Sequence, residues 1–300
     1  MGTEAPFWDH VAELSVRLKK ALYPFLAITI ILLVAPANPT EIFSLSGFYE
    51  PLIGLILQKV REQVLNGGII GIKITGVTLI GLDFSTPLEL YFLTSVLFGF
   101  LFSLPVIAYE VYKYIDPALY EHERRMIYPF TIAFTALFAA GAVFGYLVIA
   151  PFVIWAMIPF FDLVGAKMVI NIYDFYSLIF LTVIFTGFSF TLPVIYVLLV
   201  RFGILSTSTV EKNKLYFYVA LFVITAAITP DGGPLADLAL FLPMLLMMEV
   251  AMRIAKRYEK ERVKETATAE TRRVERRCKY CGAIMGEGDI FCPFCGRSQY

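Results

Sequence analysis

The chain has 300 residues and no net charge; 58% of it is hydrophobic and 17% charged, and its mean hydropathy is +0.73. A water-soluble domain carries more charge and less apolar mass. Composition therefore points to an integral membrane protein, and the four cysteines, all after residue 277, mark that end as a soluble tail.

The start, MGTEAPFWDHVAELSVRLKK, mixes charges among its apolar residues. It lacks the basic start, apolar core and small-residue end of a cleavable signal peptide. Phe7, Val11, Leu14 and Leu18 recur at helical spacing, with Asp9, Glu13 and Arg17 as a charged stripe. This predicts an amphipathic helix over Phe7–Lys20 lying in the membrane interface, followed by a first span over Ala21–Ala35. Asn38–Pro87 reads as a long connection. It holds a short amphipathic helix over Pro51–Val64 and a glycine-rich, β-branched stretch over Gly67–Phe84 that suggests a loose hairpin.

Leu88–Tyr112 is the second predicted span, with a kink at Pro105, and Met126–Ala150 is the third. Pro151–Tyr173 reads as a second connection. Tyr176–Val200 is the fourth span, interrupted by Pro193. Leu215–Thr229 and Leu235–Ala251 are the fifth and sixth, separated by the turn Pro230–Pro234. Residues 1–253 thus form a six-span membrane domain, 254–276 a charged linker and 277–300 a small separate module.

Basic residues set the orientation. With the N-terminus inside, the inner segments hold Arg17, Lys19, Lys20, Lys113, Arg124, Arg125, Arg201, Lys212 and Lys214, and the basic tail joins them. The outer segments hold Lys59, Arg61, Lys73 and Lys167. Both termini are placed in the cytoplasm, in a multi-pass protein of the cell membrane. The basic tail is also able to bind anionic lipid headgroups.

The polar segment Asp116–Arg125, DPALYEHERR, lies between two long apolar runs and carries a helix stop at Pro117, an acid at Glu123, and Arg124 and Arg125. That is more fixed chemistry than a membrane turn needs, and it suggests a docking surface. Glu13 and Glu123 both fall on the inner face, beside apolar side chains. Taken singly, each reads as a solvated or salt-bridged surface acid, Glu13 with Arg17 at i+4. Together they suggest a surface that receives cationic side chains. Acids in membrane spans are costly, yet Glu89, Glu110, Asp231 and Asp237 read as interface residues and Glu249 as a partner of Arg253 at i+4.

Cys278-Lys-Tyr-Cys281 and Cys292-Pro-Phe-Cys295 are each followed by glycine, Gly282 and Gly296. Two such pairs give four thiolates for a tetrahedral zinc site, and the glycines permit the tight turns around the sulfurs. A cytoplasmic location argues against disulfides. Four cysteines leave no open coordination position, so the zinc is structural, and so short a module depends on it to fold.

Several stretches resemble the TatC family of twin-arginine protein translocase receptors: HVAELSVRL, LPVIAYEVYKYIDPALYEHERR, FSFTLPVIYVLL and ITPDGGP. The resemblance covers roughly residues 7–253 and leaves out the zinc-ribbon-like module. It implies an all-α integral membrane fold with six transmembrane helices in a cupped arrangement. It also implies recognition of signal peptides with two consecutive arginines, handing of folded cargo to single-span TatA-type subunits in a multimeric complex, and drive by the proton-motive force. The family's signal-binding carboxylates fall at Glu13 and Glu123, with Arg17 kept beside the first. The aromatic before the loop proline falls at Tyr114. Family prolines fall at Pro51 and Pro105, and the acid of the outer turn at Asp231. Ser15 stands where an arginine is usual and Thr191 where an acid is frequent. The glutamine after the outer turn falls at Asp237, with a two-residue difference in spacing.

Two other readings belong to different classes. A secondary transporter predicts inverted repeats and paired mid-membrane acids; no repeat relates 21–125 to 126–253, and the third and fourth spans hold no acid. A membrane scaffold recruiting a cytosolic partner through the zinc module survives loss of Glu13 and Glu123. No catalytic constellation or phosphate-binding loop is present, His10 and His122 read as interface polar residues, and neither an enzyme nor a nucleic-acid partner is predicted.

Overall fold

The structure, a computed structural model, describes residues 5–37, 51–66, 71, 74, 76–115, 121–228, 233–274, 278–283 and 290–298. Asp231, the loop 116–120 and much of the stretch expected as a hairpin lie outside the described residues. Helix dominates. Four helical segments are long and apolar enough to cross a membrane: Thr86–Tyr114, Tyr128–Val164, Ile172–Arg201 and Asp237–Glu261. Between 33% and 56% of each one's most apolar stretch is buried within the protein, so the rest of that apolar surface suits lipid better than water. This is an all-α membrane protein. The sixfold span count further needs the apolar end of α1 (Ala5–Val34) and the shorter apolar helix Lys214–Ala227.

α1 is a single helix and runs through Pro24. The in-plane segment and the first span expected as two pieces are therefore one, since no breaker separates Lys20 from Ala21. Leu14, Leu18, Leu22, Leu26 and Ile30 continue a single exposed apolar stripe along it. α2 (Leu52–Leu65) follows Pro51, whose φ of −70° and ψ of 145° are extended rather than helical. Its buried residues Ile53, Leu57, Val60 and Val64 keep helical spacing, as the amphipathic pattern predicts.

α3 (Thr86–Ile115) continues through Pro105. α4 (Glu121–Phe144) passes by way of a π-helical turn, Gly145–Ile149, into α5 (Ala150–Val164). The expected third span is thus longer, and the expected connection at Pro151 is helical. The wide turn absorbs the missing N–H of Pro151: the amide of Ala150 donates to the carbonyl of Gly145, five residues back. α5 stops at Gly165, which takes the left-handed conformation (φ 72°). α6 (Ile172–Arg201) runs through Pro193 without interruption. α7 (Thr207–Lys212), α8 (Lys214–Ile228) and α9 (Gly233–Val274) complete the order. α9 continues the sixth span into the charged segment.

Two short strands interrupt the helices. β1 (Thr78–Ile80) pairs in parallel with β2 (Val169–Asn171), Thr78 opposite Val169 and Ile80 opposite Asn171. Among the described residues of Gly67–Phe84, where a hairpin is expected, β1 pairs with the distant β2. Parallel strands cannot be joined by a tight turn. α3 leads away from the pair and α4–α5 leads back to it, so both strands lie on one side.

By contacts the chain forms two units, Met1–Val194 with Leu215–Met247, and Ile195–Lys214 with Met248–Tyr300. In the first, the core joins α2 (Ile53, Leu57) to α3 (Leu97, Leu104), α4–α5 (Phe138, Ile154) and α6 (Phe175, Ile179). Tyr176 donates to the Leu57 carbonyl at 2.7 Å, and Tyr146 to Gln63 Oε1 at 2.6 Å. A short likeness emerges inside this core. GFLFSLPV (99–106) in α3 and GFSFTLPV (187–194) in α6 differ at two positions, Leu101/Ser189 and Ser103/Thr191. Both hydroxyls are buried and donate to the carbonyl three residues back, Ser103 to Phe100 and Thr191 to Phe188. The rings of Phe100 and Phe188 both meet Phe138 edge-on, at 6.2 and 5.1 Å. Comparing whole halves of the chain passes over so short a match.

Small residues let the helices approach closely. A Cβ at Gly99 would fall 2.1 Å from Thr29 Oγ1 of α1, and one at Gly141 would fall 2.8 Å from the backbone oxygen of Thr186. Gly141→Leu is expected to lower stability by about 1–3 kcal/mol through overpacking. Gly54→Ala in α2 meets only ordinary contacts, the nearest at 3.6 Å. It should raise stability by about 0.5–1 kcal/mol, the difference in helix preference. Thermal unfolding in detergent micelles checks both signs.

Candidate functional site

Two groups of polar side chains stand out. The first joins α1 to α3. Arg17 Nε and Nη2 donate to Glu13 Oε1 at 3.0 and 2.8 Å. The i+4 spacing brings them together, and the planar fork gives two bonds rather than one. The guanidinium also reaches α3, with Nη1 3.5 Å from Glu110 Oε2. That is too long for a good hydrogen bond, and Glu110 Oε2 is buried with no hydrogen-bond donor. Bonding to Glu13 pushes the Arg17 pKa up, against partial desolvation, with Glu110 adding to the rise. Two carboxylates thus share one fixed cation.

The end of α3 is aromatic. Tyr109, Tyr112 and Tyr128 form a chain of rings 6.2–6.3 Å apart, and Lys113 Nζ lies 4.7 Å from the centre of the Tyr109 ring. Tyr114, half-buried, lies in the last turn, at i+4 from Glu110. Glu123 is in the first turn of α4, and its side chain lies outside the described residues. The structure therefore brings Glu13 and Arg17 to Glu110, which the sequence reading left as an interface acid. Its spacing to Tyr114 was the available signal.

The remaining predicted positions are spread out. Pro51 caps α2 and bridges to Pro36, and Pro105 is exposed in α3. Thr191 is buried in α6, and Asp237 is half-buried near the start of α9. Glu249 pairs with Lys214 at 2.6 Å, in place of the expected Arg253; a partner from another element is invisible to helical spacing. α9 carries further links within its unit. Lys256 pairs with Glu211, Glu259 accepts from the amide and hydroxyl of Thr207, and Tyr258 stacks under Arg201 at 4.4 Å.

The second group is the cysteine cluster. All four Sγ atoms lie within 4.8 Å of one another. Cys278–Cys295 are 3.6 Å apart and Cys281–Cys292 3.5 Å, close to the edge of about 3.8 Å that a tetrahedron with metal–sulfur bonds of ~2.3 Å requires. The two knuckles repeat one pattern. Cys278 N donates to Ala283 O and Gly282 N to Cys278 O; Cys292 N donates to Arg297 O and Gly296 N to Cys292 O. Gly282 and Gly296 take φ of 75° and 70°, conformations that side chains resist. Burial opposes ionisation at Cys278, but the amides of Tyr280 and Cys281 and the thiols of Cys281 and Cys295 outweigh it and bring this thiol down to about 6. These donors fit a soft metal ion.

The model of the family "Sec-independent protein translocase protein (TatC)" matches residues 9–243. The chain belongs to the TatC family. A TatC of Aquifex aeolicus is 30% identical over 247 residues, covering 82% of this chain and 92% of that protein. A TatC of Escherichia coli K12 is 29% identical, covering 82% and 86%. A crystal structure titled as the twin-arginine translocase receptor TatC is 25% identical, covers 83% of this chain and 99% of that one, and superposes with a TM-score of 0.64. The family match ends before the cysteine cluster, which is an addition to the TatC core. Membership in this family makes the chain a subunit of the Sec-independent translocase.

The shared cation orders two substitutions. Arg17→Met strands Glu13 and Glu110 together and is expected to lower the melting temperature more than Glu13→Gln, which leaves Arg17 with Glu110. Thermal unfolding of both variants in one detergent checks the order, and added salt should narrow the gap.

Proposed function

We propose that this chain is the signal-peptide receptor of a twin-arginine translocase, in the cytoplasmic membrane, with six spans and both termini in the cytoplasm. Glu13 and Glu123 receive the paired arginines of the signal peptide. Arg17 holds Glu13 in place, and Tyr114 packs against the bound peptide. Folded cargo then passes to TatA-type single-span partners in a multimeric complex driven by the proton-motive force. Pro51, Pro105, Thr191, Asp231, Asp237 and Glu249 shape the core or meet partner subunits.

The observation that carries this reading is the guanidinium already seated between Glu13 and Glu110. The inner end of α3 is chemically suited to arginine, and it leads directly into the segment that bears Glu123. A guanidinium offers paired donors in one plane, whereas lysine is a compact and strongly hydrated charge. Such a surface prefers Arg-Arg over Lys-Lys with no covalent chemistry.

In the tail, Cys278, Cys281, Cys292 and Cys295 hold a structural zinc. With four thiolates bound, the ion has no open position and serves folding alone.

Two measurements test this. The purified protein should bind an Arg-Arg signal peptide more tightly than its Lys-Lys counterpart, and Glu123→Ala should weaken that binding more than Glu249→Ala; equal losses would remove the special role of the loop. Zinc removal by a chelator should unfold residues 278–298 and leave the helical signal in circular dichroism nearly intact, whereas collapse of the helices would contradict a separate module.

A further inference from the structure

We propose that Glu110 is a third carboxylate of the arginine-receiving surface, taking the guanidinium of one of the two peptide arginines in addition to its long contact with Arg17. The inference rests on the receptor reading above and adds a residue that the sequence treats as an ordinary interface acid.

Three observations lead to it. Charge comes first. Glu13, Arg17 and Glu110 hold two negative charges and one positive, with side-chain exposures of 33%, 20% and 12%. A shielded carboxylate without a full counter-charge favours the arrival of another cation. The second is geometry. Both short bonds of Arg17 go to Glu13, and Glu110 is held only by the 3.5 Å approach. Its Oε2 is buried without a donor, a costly state for a carboxylate oxygen. A purely structural ion pair would close that gap. The third is the neighbourhood. Lys113, one turn along α3, lies over the Tyr109 ring, so among the described residues no second cation is committed to Glu110.

Arginine suits this carboxylate better than lysine. The fork of an incoming guanidinium supplies two donors to one carboxylate, which a compact ammonium does not. Arg17 remains on Glu13, so the exchange breaks no short bond.

The test uses the full-length protein in detergent and four labelled peptides that differ only at the arginine pair: Arg-Arg, Lys-Lys, Gln-Arg and Arg-Gln. Wild type should prefer Arg-Arg to Lys-Lys. Glu110→Gln should weaken Arg-Arg binding about tenfold, the scale of one charge-assisted contact. Against one of the two single-arginine peptides that loss should vanish, because the arginine that Glu110 meets is then missing. If Glu110→Gln binds Arg-Arg within about twofold of wild type, or loses all four peptides equally, the proposal is overturned while the receptor reading stands. If wild type itself does not distinguish Arg-Arg from Lys-Lys, both fall. Wild-type protein supplies a check that needs no variant. An Arg-Arg peptide with a photoreactive group beside either arginine should form adducts within residues 107–114. Adducts formed only elsewhere would overturn the proposal.

Discussion

A chain in hydrocarbon has no water to complete its backbone hydrogen bonds, so every helix must satisfy itself. Proline makes that hard, because it removes an N–H and frees a carbonyl one turn earlier. Here α1, α3, α4, α5, α6 and α9 each contain one beyond the first turn, at Pro24, Pro105, Pro129, Pro159, Pro193 and Pro243. None of these helices ends at its proline. The buried hydroxyls of Ser103 and Thr191, two residues before Pro105 and Pro193, donate to the Phe100 and Phe188 carbonyls, each next to the carbonyl that the proline frees. Before Pro151 the helix widens by one residue for a turn. The same sequence pattern in α3 and α6 packs two phenylalanine rings against Phe138 and 6.2 Å from each other.

This also explains what could be read from sequence. Apolar length and helical spacing reveal the spans and the buried face of α2, because those patterns are local. The paired CxxC knuckles are legible for the same reason, since ligand spacing and the following glycines determine the geometry. Proline misleads: as a helix stop it divides α4 from α5, yet lipid makes leaving the helix costlier than widening it. The tertiary choices are hidden as well. Nothing in the spacing around Glu249 announces Lys214, and nothing in IKITGVTLI announces a partner at Val169. Glu110 looks like any acid at a membrane boundary until α1 brings Arg17 to it.

The Arg17–Glu110 end of the α1–α3 pair combines these themes. α1 lies against α3 closely enough that Gly99 has no room for a side chain beside Thr29. That close approach, about three turns away, bears on where Arg17 meets Glu110. The chemistry of the carboxylates thus depends on a glycine in the apolar zone. The cysteine cluster follows a different logic, with its shape set by sulfur and amide geometry in place of helix packing.

The parallel pair of β1 and β2 has a consequence for the order of assembly. Val169 cannot meet Thr78 until α3 has crossed the membrane and α4–α5 has returned. Only three residues wide, the ladder contributes little by itself, yet it closes only on a chain whose intervening segments were inserted in the right sense. A molecule with one of them inverted would carry two orphaned strands on opposite sides of the bilayer. The pair can therefore form only in a chain whose α3 and α4–α5 run in opposite directions.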